Sequence, residues 1–153
     1  MKKLSLFSWI VLFVLMLALP AFSAEKPKRY PSTPGAKVYV VSPEDGQKVK
    51  KQFKVIFGLS GMGICPAGIT VDGQPIPDTG HHHLLVDVDK LPPMDEVLPT
   101  EHHDKVMHFG KGQTESMLEL PPGKHTLQLI FADFAHVPHD PPVISKKITV
   151  IVE

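Results

Sequence analysis

The chain has 153 residues and a single cysteine, Cys65, so no disulfide can close within it. Charge of neither sign is in excess: 16 Lys and Arg stand against 16 Asp and Glu. Without a clustered basic surface there is no nucleic-acid footprint. Helical periodicity is missing beyond the first twenty-odd residues, and 16 prolines argue against long helices. No repeat of about 20–50 residues appears. Catalytic signatures are absent as well. Gly58-Leu59-Ser60-Gly61-Met62 lacks the closing glycine of a nucleophile elbow. Gly110-Lys111-Gly112-Gln113-Thr114 has the wrong spacing for a phosphate loop, and no helical pattern follows it.

The one long apolar run, Leu4 to Leu19, follows Lys2 and Lys3 and precedes the small residues Ala21, Ser23 and Ala24. That order predicts a secretory signal peptide over residues 1–23. The run is short for a spanning helix of about 20 residues, so no stable membrane anchor is expected after cleavage. The expected location is periplasmic or secreted. Cleavage leaves 130 residues, enough for one domain. Because Lys2 and Lys3 depart with the signal, 14 basic and 16 acidic side chains remain. Residues 24–36 read as an extended lead-in, and residues 37–153 as one domain.

Within that domain, alternation of period two marks short strands. Phe53, Val55, Phe57 and Leu59 alternate with Gln52, Lys54, Ile56 and Gly58; further strands are expected at Lys37–Val41, Ile69–Val71, Val106–Phe109, Met117–Leu120, His125–Asp133 and Val143–Val152. Turn signals such as Asp72-Gly73 and Pro121-Pro122-Gly123 separate them. About seven short strands at this spacing predict an all-β, immunoglobulin-like antiparallel β-sandwich, with a cupin-like or jelly-roll barrel as the alternative. Lys90 to Lys105 reads as a long polar loop, a length that usually serves function or moves.

The nine histidines all fall between residues 81 and 139. In Gly80-His81-His82-His83-Leu84-Leu85-Val86-Asp87-Val88-Asp89, His82 shares a face with Leu84, Val86 and Val88. His81 and His83 share the opposite face, roughly 7 Å apart on one strand, and can chelate a single ion. Neutral imidazole is the commonest protein metal ligand and suits copper and zinc. His108, His136 and His139 lie at strand ends or in the loop beyond, and complete the candidate ligand set with His81 and His83. Lower in the ranking stand His82, facing the core; His125, on an apolar face; and Asp133, near the loop. Met62 and Met107 are thioether candidates for Cu(I), although methionine is more often core filler. Cys65, with no neighbouring base, reads as a packed thiol, and His102 and His103 as solvated.

Taken together, Gly58-Leu59-Ser60-Gly61-Met62-Gly63, the triple-histidine strand, Met107-His108-Phe109-Gly110, His125-Thr126-Leu127-Gln128-Leu129 and His136-Val137-Pro138-His139-Asp140 resemble a family of exported bacterial domains of unknown function, DUF4399. The resemblance covers nearly the whole chain after the signal. It implies no established activity, substrate or cofactor. Its hallmark positions fall on His81, His82, His83, His108, His125, His136 and His139; Cys65, His102 and His103 lie outside the pattern. Three readings follow. The first is a periplasmic protein binding copper or zinc. The second is a non-enzymatic interaction module with structural histidines and an envelope protein as partner. A metal-dependent enzyme ranks last, because no general base is identifiable.

Overall fold

The computed structural model describes residues 25–100 and 105–153; the expected signal peptide, His102 and His103 lie outside these. The first half of the chain supplies β1 (Lys37–Ser42), β2 (Gln47–Val49), β3 (Gln52–Ser60), β4 (Gly63–Ile64), β5 (Thr70–Val71) and β6 (Gln74–Pro75). The second half supplies β7 (Thr79–Val86), β8 (Val106–His108), β9 (Glu115–Glu119), β10 (Gly123–Ala132), β11 (Pro138–Ile144) and β12 (Ile148–Val152). These are more strands than the seven expected, because β2, β4 and β6 are two- or three-residue pairings inside stretches that read as turns. The single closing strand expected from Val143 to Val152 is divided at Ser145–Lys147 into β11 and β12.

Two sheets face each other. The smaller runs β1-β3-β9, and the larger runs β2-β12-β10-β7-β4, with β11 added on β10 and β8 on β7. Pairing is antiparallel except for β2 with β12 and β4 with β7, which are parallel. These two short parallel pairings lie at the edges of the antiparallel β-sandwich that the sequence predicts. The β5–β6 hairpin turns at Asp72 and Gly73, whose φ angles of 51° and 72° suit the type I′ turns that favour Asp-Gly.

Alternation explains the main core. Phe53, Val55 and Phe57 from β3 meet Leu84 and Val86 from β7, and Leu127, Leu129 and Phe131 from β10. Each such buried side chain contributes about 1.5–3 kcal/mol. The larger sheet is covered on its outer face too. Leu85, Ile130 and Ala132 pack there against Leu98, with Met94, Val88, Val106 and Ile144 around them. The stretch expected to be a polar loop therefore carries a buried anchor, Leu98, and roofs the outer face. As a result β7 is buried on both sides, whereas its sequence predicts one buried face.

Two further segments differ from expectation. The Phe134–Pro142 loop becomes strand from Pro138 onward. Phe131 pairs with Val143 and Ala132 with Pro138, so the residues between bulge out of the ladder, and a bulge tolerates prolines that cannot donate to it. The lead-in also joins the fold. Asp140 N–H donates to the Tyr30 carbonyl (2.9 Å), and Ser32 N–H to that of Asp140 (3.2 Å), laying residues 30–32 along β11.

Candidate metal centre

Strand geometry places the histidines before any ligand is considered. β7 runs antiparallel to β10, with His81 opposite Ala132, His82 opposite Phe131 and His83 opposite Ile130. On its other edge His83 lies directly opposite His108 of β8. Side chains of directly paired residues share a face, so the His83 and His108 rings stack, with centroids 5.2 Å apart. His81 stands two residues along on that face, its ring 4.8 Å from His83 and 5.0 Å from His108.

His136 arrives from the loop after β10. Asp133 builds that loop: its Oδ1 accepts N–H bonds from Ala135 (2.8 Å) and Val137 (2.9 Å), and its carbonyl accepts the His136 N–H (3.1 Å). His136 adopts φ +68°, a left-handed conformation uncommon outside glycine and tolerated better by His, Asn and Asp. Its own carbonyl accepts the Leu98 N–H (2.9 Å), which ties the loop to the roof. The His136 ring then lies 5.0 Å from His81 and 4.7 Å from His108.

Three ring nitrogens converge. His108 Nε2 lies 3.2 Å from His81 Nε2 and 3.1 Å from His136 Nε2. A neutral ring nitrogen carries either one proton or one lone pair, so His108 Nε2 cannot form a full hydrogen bond with both. Ligand nitrogens sharing a tetrahedral ion at about 2.0–2.1 Å stand about 3.3 Å apart, close to both separations. His81, His83 and His108 each offer a nitrogen such that all three lie within 4.8 Å of one another. Around a tetrahedral ion the widest of these separations must therefore shorten by up to about 1.5 Å. Buried nitrogens without a hydrogen-bond partner include Nδ1 of His81 and both of His83, and each such group costs about 1–3 kcal/mol.

Electrostatics favour the neutral rings of His81, His83 and His108. Burial, then the neighbouring His136 and His108, push His81 down to about 3. Burial drives His83 well below the ordinary histidine value, with His81 and His108 adding to it, and lowers His108 with help from His136. His81 and His83 are buried, while His108 and His136 are half-buried and form the mouth.

Gly110 is a positioning residue that sequence reasoning missed. A Cβ at this position would overlap Cε1 and Nε2 of His108, so only glycine lets the ring lie against the chain. The adjacent Ala67 N–H donates to the Gly110 carbonyl (2.8 Å). The His-Phe-Gly order was the only available signal.

Other candidates lie elsewhere. His82 faces the inter-sheet core against Phe57 and Phe131, its Nδ1 3.3 Å from the Gln113 carbonyl, and burial lowers it to about 4. His125 sits seven residues before Ala132 on β10, roughly 23 Å from the cluster at strand rise. Both its ring nitrogens are engaged, by Asp87 Oδ2 (2.7 Å) and the Pro121 carbonyl (2.9 Å). His139 stacks on Phe131, on the core side of the sheet. Asp133 acts through the loop it shapes. Met107 and Met62 pack against the main core, which leaves a nitrogen-only ligand set. Among the described residues Cys65 is not part of the close group of ligand atoms; it is buried, with its N–H on the Gly80 carbonyl (2.7 Å).

Fold and site together define a small β-sandwich domain with a buried histidine cluster on the outer face of its larger sheet. The chain belongs to the family described as "Domain of unknown function (DUF4399)", whose profile matches residues 55–153. No curated protein matches it. Among solved structures it is similar to the endo-β-1,4-mannanase from Thermotoga petrophila, at 17% identity and a TM-score of 0.41, over 77% of this chain and 20% of that one. It is also similar to fibronectin(III)-like modules of Clostridium thermocellum CbhA, at 15% identity and a TM-score of 0.34, over 76% of this chain and 45% of that one. The chain spans less than half the length of either.

Proposed function

We propose that the domain binds one transition-metal ion, copper or zinc, through His81, His83 and His108, with His136 as the fourth ligand. The observation that carries this reading is the crowding of two Nε2 atoms, of His81 and His136, at 3.1–3.2 Å around that of His108, which a cation resolves and neutral hydrogen bonds do not. An all-imidazole set suits Cu(II) and Zn(II) rather than the thioether-loving Cu(I). The half-buried rings at the mouth give the ion an entry path, and the buried pair beneath holds it. The setting we assign is the periplasm, on the charged, apolar and small-residue order of residues 1–23. There the domain takes up, stores or hands on the ion without chemistry of its own.

Metal analysis of protein purified without a tag tests this, followed by zinc and copper titration. About one ion per chain is expected, lost in a His81→Ala/His83→Ala double variant. Absence of binding at micromolar metal overturns the proposal. Histidine substitutions that lower the melting temperature equally with and without added metal favour the interaction-module reading instead.

A further inference from the structure

The first strand of the smaller sheet, β1, is bonded on one edge only. It pairs with β3, and among the described residues no backbone hydrogen bond joins Lys37–Ser42 to any other segment. A bulge falls between Val40 and Ser42, so the regular free edge is Lys37–Val40, roughly 13 Å at strand rise. Unpaired N–H and C=O groups along such an edge template an added strand. The edge borders a groove of about 460 Å³, whose opposite wall is the end of β11 and the corner leading into β12. Pro142 stands on that wall and lacks the N–H that a ladder needs. β1 contains no proline, so pairing belongs to β1.

The accessible apolar surface of the groove comes from half-buried Val40, Ile144 and Ile148 and from exposed Pro142. Among the described residues, the charged groups that line it are Lys37 and Lys146, both exposed. Neither has a carboxylate partner there, whereas Lys48, Lys51 and Lys54 each hold a glutamate. A second copy pairing through the same edge about a two-fold axis would bring both copies' lysines into one seam, and like charges opposed across a ladder destabilise it. We propose that the groove takes an extended acidic peptide of another protein, added as a strand on β1: acidic side chains reach Lys37 and Lys146, and apolar ones between them pack on Val40, Ile144 and Ile148. Main-chain bonds give a site of this kind its affinity, and alternate side chains its selectivity.

Fluorescence anisotropy with a labelled peptide of alternating Glu and Val tests this independently of metal. The peptide should bind saturably at one per chain and slow hydrogen exchange along Lys37–Val40. Its counterpart with Lys for Glu should bind at least roughly tenfold more weakly for want of charge-assisted bonds. Methylating one alternate set of the peptide's backbone amides should abolish binding and methylating the other should spare it, because only one set faces β1. A Lys37→Glu/Lys146→Glu variant, altered at two exposed positions, should keep its melting temperature and switch its preference to the Lys peptide. The proposal is overturned if the Glu peptide does not saturate the native protein, if the Lys peptide binds as tightly, if both methylated sets are tolerated, or if the folded variant binds the Glu peptide as the native protein does. Displacement of the peptide by an equal concentration of dodecanoate would assign the groove to a fatty acid. Protection of the β1 amides that grows with protein concentration, without peptide, would assign it to a second copy; either result overturns the proposal.

Discussion

His82 and His83 are neighbours in the chain with opposite fates, because successive side chains on a strand point to opposite faces. His82 enters the sandwich and packs among phenylalanines; His83 enters the outer face and meets His108. This division was legible from period two alone. The contribution of Gly110 was not, since a sequence records no distance between a ring and the backbone two residues on. Gly110→Ala should push the His108 ring aside and lower metal affinity by about 10- to 100-fold, as other changes to ligand orientation do. Zinc titration of the variant beside the native protein checks this; unchanged affinity would remove His108 from the ligand set. His82→Phe, in contrast, should leave metal affinity within about twofold, because that ring points into the core.

At the scale of elements, the cluster depends on a roof and a loop. Leu98 is fully buried, and its N–H holds the His136 carbonyl. Leu98→Ala removes a buried side chain, at a cost of about 2–5 kcal/mol, and should weaken metal binding as well as stability. Denaturant unfolding with and without zinc separates the two effects: loss of stability with no loss of affinity would show that the roof does not position His136. The sheet strands were readable because Phe53, Val55 and Phe57, or Leu127, Leu129 and Phe131, alternate without interruption. The roof was not, because Leu98 and Met94 lie in a proline-rich stretch without period. The histidines at strand ends all looked alike for the same reason. Only the pairing of β7 with β8 and β10 shows that His108 and His136 converge, while His125 lies at the far end of β10 and His139 beside Phe131.

For the molecule as a whole, two sets of histidines give pH dependences of opposite sign. His81 is held down to about 3 and His82 to about 4, with His83, His108 and His139 also lowered, mainly by burial. The unfolded chain protonates these rings first, so their stability is complete above about 6.5 and is lost as pH falls toward the folded values. At His125 burial pulls down, but the Asp87 carboxylate and Pro121 carbonyl outweigh it and raise the group; burial would raise Asp87, yet bonds from His125 and Thr126 lower it. This pair therefore stabilises between roughly pH 4 and 6.5, and its gain fades as pH rises through the folded histidine value. Metal-free protein should melt at steadily lower temperature from pH 7 to pH 4, the larger set dominating. Asp87→Asn should cost more stability at pH 6 than at pH 8.5. Thermal scans across that range check both expectations, and a melting temperature that rises on acidification would contradict the burial of the cluster.

Metal coordination at the outer face is the claim on which the functional account rests, and X-ray absorption of the zinc- or copper-loaded protein after dialysis tests it most directly. The expected spectrum shows a first shell of nitrogen alone at about 2.0–2.1 Å, with imidazole scattering from three or four rings that is lost in the His81→Ala/His83→Ala variant. A sulfur shell near about 2.3 Å, or a sample that leaves dialysis without metal, would contradict it.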